Sequence, residues 1–206
     1  MQHTYSRVEI EERITSEDFF ARATDRPQTE LIDGIVIAVP PPVDVHERLR
    51  IFLLCLLGEH VESCDLGEVR GSRTAVRLAD DQTYEPDLLF ISRDRLSILQ
   101  ESGVFGAPDL VVEILSASTA SYDRGPKLRT YDRSGVREVW LIDPYGPTGS
   151  EFHLRQDLGL RPVMPADGTL ISPVLGGFRL RTEWLWPTGK FIAVREALLS
   201  AAPERS

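Results

Sequence analysis

The amino-acid sequence predicts an α/β (α+β) fold in which helices flank a central mixed β-sheet. Residues 45–60 carry apolar side chains three and four positions apart, the spacing of an amphipathic helix that packs on a sheet. Residues 109–115 and 136–142 are apolar on both faces, as expected of strands covered on both sides. A helical pattern over 123–133 ends at Ser134-Gly135, so a helix is expected to join these two strands.

Shorter elements precede this centre. Ser16 is predicted to cap a short helix, and Asp33-Gly34 is predicted to form the turn of a β-hairpin. Residues 67–78 and 85–91 are predicted to be strands that pair antiparallel, because turn-forming residues lie between them.

The chain length suits a single domain, 1–206, with its core at about 30–144. The segment 145–206 is rich in Gly and Pro in its first part, and it is predicted to add hairpins and a final helix. Trp184 and Trp186 in this segment are interpreted as core or interface anchors in preference to ligand-stacking residues.

Composition and charge restrict the classes of function. The net charge of −9 argues against a sequence-independent coat on nucleic acid, since such proteins bind phosphates through Lys and Arg. No apolar run approaches the roughly 18 residues that span a bilayer, and residues 1–10 lack the apolar core of a signal peptide. A cytoplasmic protein with no membrane partner is therefore expected.

Two carboxylates stand out within apolar strands. Glu113 lies between Val111 and Leu115 on one face of its strand, where an unpaired charge would cost several kcal/mol. It therefore needs a metal ion, a proton or a structural Arg or Lys partner, and the position alone leaves these alternatives open. Asp87 follows Pro86 at the start of another strand. Carboxylates on two neighbouring strands are an arrangement that holds Mg²⁺ or Mn²⁺, although Asp at a strand start is usually a turn residue.

Four further polar residues have both structural and functional interpretations. A lysine in a helix is most often solvated, and Lys127 has this structural interpretation. In the functional interpretation, its ammonium activates the attacking water. Glu30 either completes an acidic cluster or forms a surface pair. His46 is interpreted as a residue of the helix cap region in preference to a catalytic base. Asp109 is interpreted as a structural or supporting residue in preference to a catalytic one.

Other enzyme classes find less support in the sequence. No GxSxG motif surrounds a serine, and no phosphate-binding glycine loop follows a strand. The four histidines lack HExxH or clustered zinc-ligand spacing. Serine hydrolase, nucleotide triphosphatase and zinc enzyme are therefore minor alternatives.

An ordered set of residues over about 30–144 resembles a known family. Its members are Glu30-Leu31-Ile32-Asp33-Gly34, His46, Glu85-Pro86-Asp87, residues 107–116, Ser118-Thr119, Asp123, Lys127, Tyr131 and residues 135–143. They resemble the Uma-type family of restriction-endonuclease-like proteins, which looks like a branch of the PD-(D/E)XK nuclease superfamily. The resemblance implies a mixed sheet with flanking helices and a metal-dependent site that cleaves phosphodiester bonds.

The resemblance also assigns residues to that site. It places Asp87 at the PD aspartate and Glu113 at the acidic position of the (D/E)XK element. Leu115 occupies the position of the lysine, and Lys127 on the neighbouring helix is the matching cation. With the Ile114 carbonyl as a further metal ligand and Glu30 as support, these residues form the predicted catalytic set.

The sequence thus leads to the hypothesis of a magnesium- or manganese-dependent DNA endonuclease. Double-stranded DNA and a homodimer are the expected substrate and assembly, because duplex cleavage commonly uses two sites related by a two-fold axis. Two alternatives remain: a non-catalytic dimeric binding or scaffold protein that keeps the nuclease fold, and a hydrolase of small phosphoesters.

Overall fold

The structure is a computed structural model that describes residues 13–22, 28–39 and 41–201. Its α-helices are α1 (Ser16–Ala21), α2 (Asp44–Ser63), α3 (Ala120–Tyr122), α4 (Leu128–Ser134) and α5 (Val194–Ala201). A π-helical turn, Asp123–Lys127, joins α3 to α4. Short 3₁₀ segments occur at Arg93–Ile98, Pro147–Gly149 and Thr182–Leu185.

The strands follow the chain in order. They are β1 (Thr29–Ile32), β2 (Ile35–Ala38), β3 (Gly67–Gly71), β4 (Val76–Ala79), β5 (Gln82–Tyr84), β6 (Leu88–Ser92), β7 (Leu99–Gln100), β8 (Gly103–Phe105), β9 (Leu110–Ile114), β10 (Glu138–Ile142), β11 (Glu151–Gln156), β12 (Gly159–Val163), β13 (Thr169–Ser172) and β14 (Phe178–Arg181).

A six-stranded mixed sheet forms the centre of the protein, with strand order β12-β11-β10-β9-β6-β3. Its middle strands β9 and β10 run parallel, and the other neighbours pair antiparallel. The segment α3–α4 connects the two parallel strands, as the spacing of apolar runs predicts. This arrangement confirms the predicted mixed sheet with flanking helices.

Helix α2 covers one face of the central sheet. Its buried apolar residues recur at three- and four-residue intervals: Leu49, Phe52, Leu53, Leu56, Leu57 and Val61. They pack with the β6, β9 and β10 residues that point to this face, and with α5 and the hairpin β13-β14. The helix predicted over 45–60 is therefore confirmed, extending over Asp44–Ser63.

The opposite face of the central sheet packs against the α3–α4 segment. Val111 and Leu115 of the β9 segment contact Tyr131 of α4 within a buried apolar cluster. Since side chains alternate along a strand, Glu113 points to this same face. The fold thus presents a carboxylate to α4 from inside an apolar strand.

The prediction for residues 67–78 was wrong in one respect, because they form two strands in different sheets. β3 pairs antiparallel with β6 as expected, but the chain then turns at Arg73, whose φ is +71°. β4 joins a second six-stranded sheet of order β2-β1-β5-β4-β8-β7. The turn residues Asp80 and Asp81 accordingly close a β4-β5 hairpin. Sequence patterns give little indication that one residue of an otherwise strand-like run has a left-handed backbone conformation.

The cap of α1 also differs from the prediction. Thr15, not Ser16, is the N-cap, and its side chain and that of Asp18 form a reciprocal capping box. Ser16 is buried and hydrogen-bonds to the Ala79 carbonyl and to Thr83. The predicted hairpin turn at Asp33-Gly34 is confirmed, with β1 and β2 pairing antiparallel. No helix within the described ranges is both long and apolar enough to cross a membrane.

A buried carboxylate ties the C-terminal hairpin to the central sheet. Glu138 on β10 is fully buried, and its two oxygens accept hydrogen bonds from Trp140 Nε1 (2.6 Å) and Ser172 Oγ (2.7 Å). Burial raises the pKa of Glu138 from 4.5 to about 7, while the hydrogen bonds from Ser172 and Trp140 act in the opposite direction. The protonated form of Glu138 is therefore favoured up to about pH 7 in the folded protein.

We expect Glu138→Gln to remove a pH-dependent loss of stability. The folded protein holds the Glu138 proton more tightly than the unfolded chain, so wild-type stability falls as pH rises from 4.5 through about 7. This pKa shift corresponds to at most about 3 kcal/mol. Urea unfolding between pH 5 and pH 8 should show the decline in wild type and a flatter profile in the variant. Exposed Glu183→Gln is the matched control, and equal slopes in all three proteins would contradict the assignment.

Candidate active site

Asp87 and Glu113 meet at one edge of the central sheet. Leu88 of β6 pairs antiparallel with Val112 of β9, and continuing this register by one residue places Asp87 opposite Glu113. The Ile114 backbone N–H donates a hydrogen bond to Asp87 Oδ2 at 2.8 Å. The structure therefore brings together the three residues that were predicted as metal ligands.

The Glu113 carboxylate is held by two donors on one of its oxygens. The side chain is only 6% exposed; Oε1 accepts a hydrogen bond from the Tyr131 hydroxyl (2.5 Å) and forms an ion pair with the Lys127 ammonium (3.0 Å). In the described part of the chain both donors reach Oε1, which leaves Oε2 for another ligand. Tyr131 and Lys127 thus orient the carboxylate within the apolar face of the sheet.

Lys127 is buried among carboxylates, so the interpretation of a solvated helical lysine is wrong for this chain. Its Nζ lies 2.7 Å from Glu30 Oε1 and 3.8 Å from Asp123 Oδ1, in addition to its contact with Glu113. The Tyr84 ring lies beneath the ammonium, 5.4 Å from centroid to Nζ. Lys127 ends the π-helical turn, a rare element that often occurs at functional sites.

The second sheet supplies Glu30. This residue lies on β1, which pairs with β5, and its Oε1 also accepts a hydrogen bond from the Glu85 backbone N–H at 3.0 Å. Its side chain is 8% exposed, so Glu30 completes the buried cluster and does not form a surface pair. Docking of the two sheets therefore determines how Lys127 is placed.

The cluster carries more negative than positive charge. Burial, together with the carboxylates of Asp123, Asp87 and Glu30 and against the opposing Lys127 ammonium, raises the pKa of Glu113 to about 8. Burial acts to lower the pKa of Lys127, but the carboxylates of Glu113, Glu30 and Asp123 hold it well above its usual value. One ammonium does not neutralise four acidic side chains, so the cluster favours an additional proton or cation.

His46 belongs to this site, although the sequence favoured a role in the helix cap region. It lies in the first turn of α2, but its Nε2 is 3.3 Å from Asp87 Oδ2 and the side chain is 11% exposed. Burial lowers the pKa of His46, and the Asp87 carboxylate and the Ile114 carbonyl outweigh burial, so the pKa is raised. Helix α2 thereby contributes a second group with cationic character to the cluster.

Asp109 lies away from the site, at the other end of β9. Its fully buried carboxylate accepts hydrogen bonds from Arg95 (2.7 Å), Arg137 (3.2 Å) and the Ser92 backbone N–H (2.8 Å). These contacts agree with its structural interpretation. Asp109 anchors the start of β9 to the neighbouring segments.

The donor set at Asp87 and Glu113 suits a hard divalent cation. Within the described residues, no three His, Cys, Asp or Glu side chains form a group with metal-ligand geometry. A metal here would therefore rest on two carboxylates, the Ile114 carbonyl and water. Mg²⁺ commonly binds through one or two carboxylates and keeps several waters, so these residues fit that ion.

Comparison with known protein families identifies the group to which this chain is related. A family model named Uma2 and described as "Putative restriction endonuclease" matches residues 16–183, well over half of the chain. The chain belongs to the Uma2 family. The match spans all the residues of the site described above.

Two related proteins show how far the similarity extends. The Uma2 chain is 31% identical over 120 residues to the uncharacterized protein slr1290 of Synechocystis sp. PCC 6803, covering 57% of this chain and 60% of that protein. A crystal structure from Anabaena variabilis, described as "a putative nuclease belonging to DUF820", superposes with a TM-score of 0.66 at 19% identity. That superposition covers 84% of this chain and 97% of the other, and it establishes a shared fold.

Sequence reasoning identified four residues that this Uma2 protein brings together, namely Asp87, Glu113, Lys127 and Glu30. It left Asp123, Tyr131 and His46 without a role in the site. The four-residue spacing of Asp123, Lys127 and Tyr131 places them on one side of a helical segment, and this spacing was the available signal. No local pattern joins His46 to Asp87, because their contact depends on how α2 crosses the sheet.

We expect Lys127→Met to destabilise the Uma2 protein strongly at alkaline pH. The change leaves Glu30, Glu113 and Asp123 buried without their shared cation, a loss that typically costs about 3–5 kcal/mol. The pKa values of Glu113 and Asp123, already raised by burial, then rise further in the folded state, so the defect should shrink as pH falls toward 5.

Chemical unfolding at pH 5 and pH 8 measures this effect. Arg129→Met is the matched control, since Arg129 is exposed on the same helix and should change stability little. A small, pH-independent effect of Lys127→Met would contradict the paired arrangement.

Proposed function

We propose that this chain is a Mg²⁺- or Mn²⁺-dependent endonuclease that hydrolyses phosphodiester bonds of DNA. The observation that carries the proposal is the juxtaposition of Asp87 and Glu113 on adjacent strands, with the buried Lys127 ammonium 3.0 Å from Glu113. The family description and the description of the Anabaena protein support nuclease chemistry at this site.

Each residue of the cluster has a role in the proposed reaction. Asp87, Glu113 and the Ile114 carbonyl would hold the metal ion. When bound, the ion supplies Lewis acidity toward a phosphoryl oxygen and favours ionisation of water. Lys127 has three N–H donors, and Glu30 accepts one of them, so the ammonium can also orient water or stabilise charge on the phosphate.

Glu30 and Tyr131 act indirectly in this proposal. Glu30 fixes Lys127, and Tyr131 fixes Glu113 through the hydrogen bond to Oε1. Both groups hold the reacting set in place before a substrate arrives, which reduces the reorganisation required during catalysis. In this proposal, Lys127 supplies the cation that the family pattern expects at the position of Leu115.

A homodimer with two such sites remains part of the proposal, since a duplex presents two strands related by a two-fold axis. The alternatives from the sequence predict different results in activity assays. A scaffold protein would bind without cleaving, and a phosphoesterase would act on small phosphoesters in preference to DNA. Screening both substrate types with purified protein distinguishes them.

We expect purified protein to nick or linearise plasmid DNA only when Mg²⁺ or Mn²⁺ is present. Glu113→Gln should reduce the cleavage rate by about a hundredfold or more, because the metal loses a charged ligand. Its metal-free stability should equal or exceed that of wild type, since the substitution removes a buried negative charge from a crowded cluster.

Exposed Asp94→Asn serves as the matched control for loss of a carboxylate and should cleave as wild type does. Full activity of Glu113→Gln, or cleavage that persists in EDTA, would refute the proposed site.

A second test measures metal binding without any substrate. Mn²⁺ at a hundredfold excess over its Kd should stabilise the folded protein by about 2.7 kcal/mol and raise Tm accordingly. The shift should be larger at pH 8 than at pH 6, because protons compete with the metal for Glu113. Asp87→Asn should abolish the shift and Asp94→Asn should retain it. A wild-type Tm independent of Mn²⁺ would exclude a preformed metal site.

A further inference from the structure

A surface cavity lies between the first turns of α2 and the segment that follows β10. Its volume is about 290 Å³. The residues that shape it include Val45, Arg48, Tyr145, Trp186, Pro187 and Phe191. Pockets for drug-sized ligands begin at about 300 Å³, so this cavity suits one flat ring system.

The cavity is adjacent to the candidate active site across the end of the central sheet. Its wall residue Val45 directly precedes His46, whose ring contacts Asp87. Ile142 at the end of β10 pairs with Ile114 of β9, and the Ile142 carbonyl accepts a hydrogen bond from the Leu115 N–H. The cavity and the carboxylates therefore occupy the same edge of the sheet, and α2 contributes to both.

Aromatic rings form the walls of the cavity. The indole of Trp186 is fixed because its Nε1 donates to the Asp143 carbonyl at 2.7 Å. Phe191 stacks on Phe52 with ring centroids 4.7 Å apart. Tyr145 is 76% exposed, so its ring is accessible to a ligand at the cavity. Trp186 packs against the central core, as its neighbour Trp184 does, but unlike Trp184 it is only partly buried.

Positive charge lies at the rim of the cavity. The Arg48 guanidinium is 5.7 Å from the centroid of the Phe191 ring, and its Nη2 donates to the Gly189 carbonyl at 3.4 Å. Neither contact involves a carboxylate, so they leave its charge uncompensated. Lys190, next to Phe191, is also exposed. The chain has a net charge of −9, so exposed cations beside aromatic rings are a local exception. They are suited to bind the phosphates of a nucleic-acid backbone.

We propose that this cavity binds an unstacked nucleobase of the substrate strand. From this base, the strand continues in one direction into the active site. Proteins that bind single-stranded nucleic acid combine aromatic platforms for bases with cations that follow the backbone, and Arg adds cation–π contacts. The exposed ring of Tyr145 supplies the platform here, and Arg48, held beside Phe191, supplies the cation. The inference rests on the proposed nuclease function, and it requires the DNA to be single-stranded or locally opened at the base that enters the cavity.

Fluorescence of a 2-aminopurine base in a short single-stranded DNA oligonucleotide tests the proposal. Stacking quenches this base, so titration with the full protein gives both a Kd and a measure of stacking. Ca²⁺ replaces Mg²⁺ during the titration to occupy the hard-cation site, and gel analysis confirms that the oligonucleotide stays intact.

Wild-type protein should quench the probe. Tyr145→Ala should raise Kd by about tenfold and weaken the quenching, as expected when one base–aromatic stack is lost. Tyr145→Phe should bind within about twofold of wild type, since the ring is kept. Arg48→Met should weaken binding and reduce the slope of log Kd against log salt by about 0.7, the amount for one phosphate contact to a single strand. Leu158→Ala is the control, because Leu158 is 83% exposed outside the cavity.

A plasmid cleavage assay run in parallel separates this inference from the proposed function. If wild type cleaves plasmid but Tyr145→Ala and Arg48→Met show unchanged Kd and quenching, the cavity assignment is overturned. The proposed nuclease function is not affected by that result. Absence of probe binding to wild type would also overturn the cavity assignment. Quenching that depends on Tyr145, in a protein that cleaves no substrate with any metal, would support the cavity and contradict catalysis.

Discussion

The buried ammonium of Lys127 is the interaction on which the arrangement of the site depends. It lies within 3.0 Å of carboxylates from two different sheets, Glu30 on β1 and Glu113 on β9. A buried lysine without such partners would lose its charge or destabilise the protein. The two sheets and the α3–α4 segment must therefore assemble together, because each contributes one member of the same charge cluster.

The cluster that organises the site also limits the stability of the protein. Four acidic side chains share one ammonium and one histidine, and burial together with this surplus of negative charge raises the pKa of Glu113 to about 8. A fold selected for stability alone would place apolar residues of similar size at these positions. The surplus is instead suited to a divalent cation, whose binding would relieve the repulsion among the carboxylates.

The C-terminal segment extends this site beyond the carboxylates. The hairpin β13-β14 is fastened to the central sheet by the buried Glu138, and α5 packs on the same face as α2. This packing brings the segment around Trp186 and Phe191 against the first turns of α2. The helix that positions His46 over Asp87 therefore also carries Arg48 at the rim of the aromatic cavity.

The sequence by itself determined the main elements, and its resemblance to the Uma-type family grouped Asp87, Glu113, Lys127 and Glu30 as one candidate site. Periodicity located α2, β9 and β10, and the improbability of a carboxylate inside an apolar strand singled out Glu113. Only the tertiary structure decided that residues 67–78 divide between two sheets, that Lys127 is buried, and that His46 contacts Asp87. These outcomes depend on a left-handed turn at Arg73 and on contacts between residues far apart in the chain. Local patterns carry no record of such contacts, because the energies that select them arise only when the elements pack.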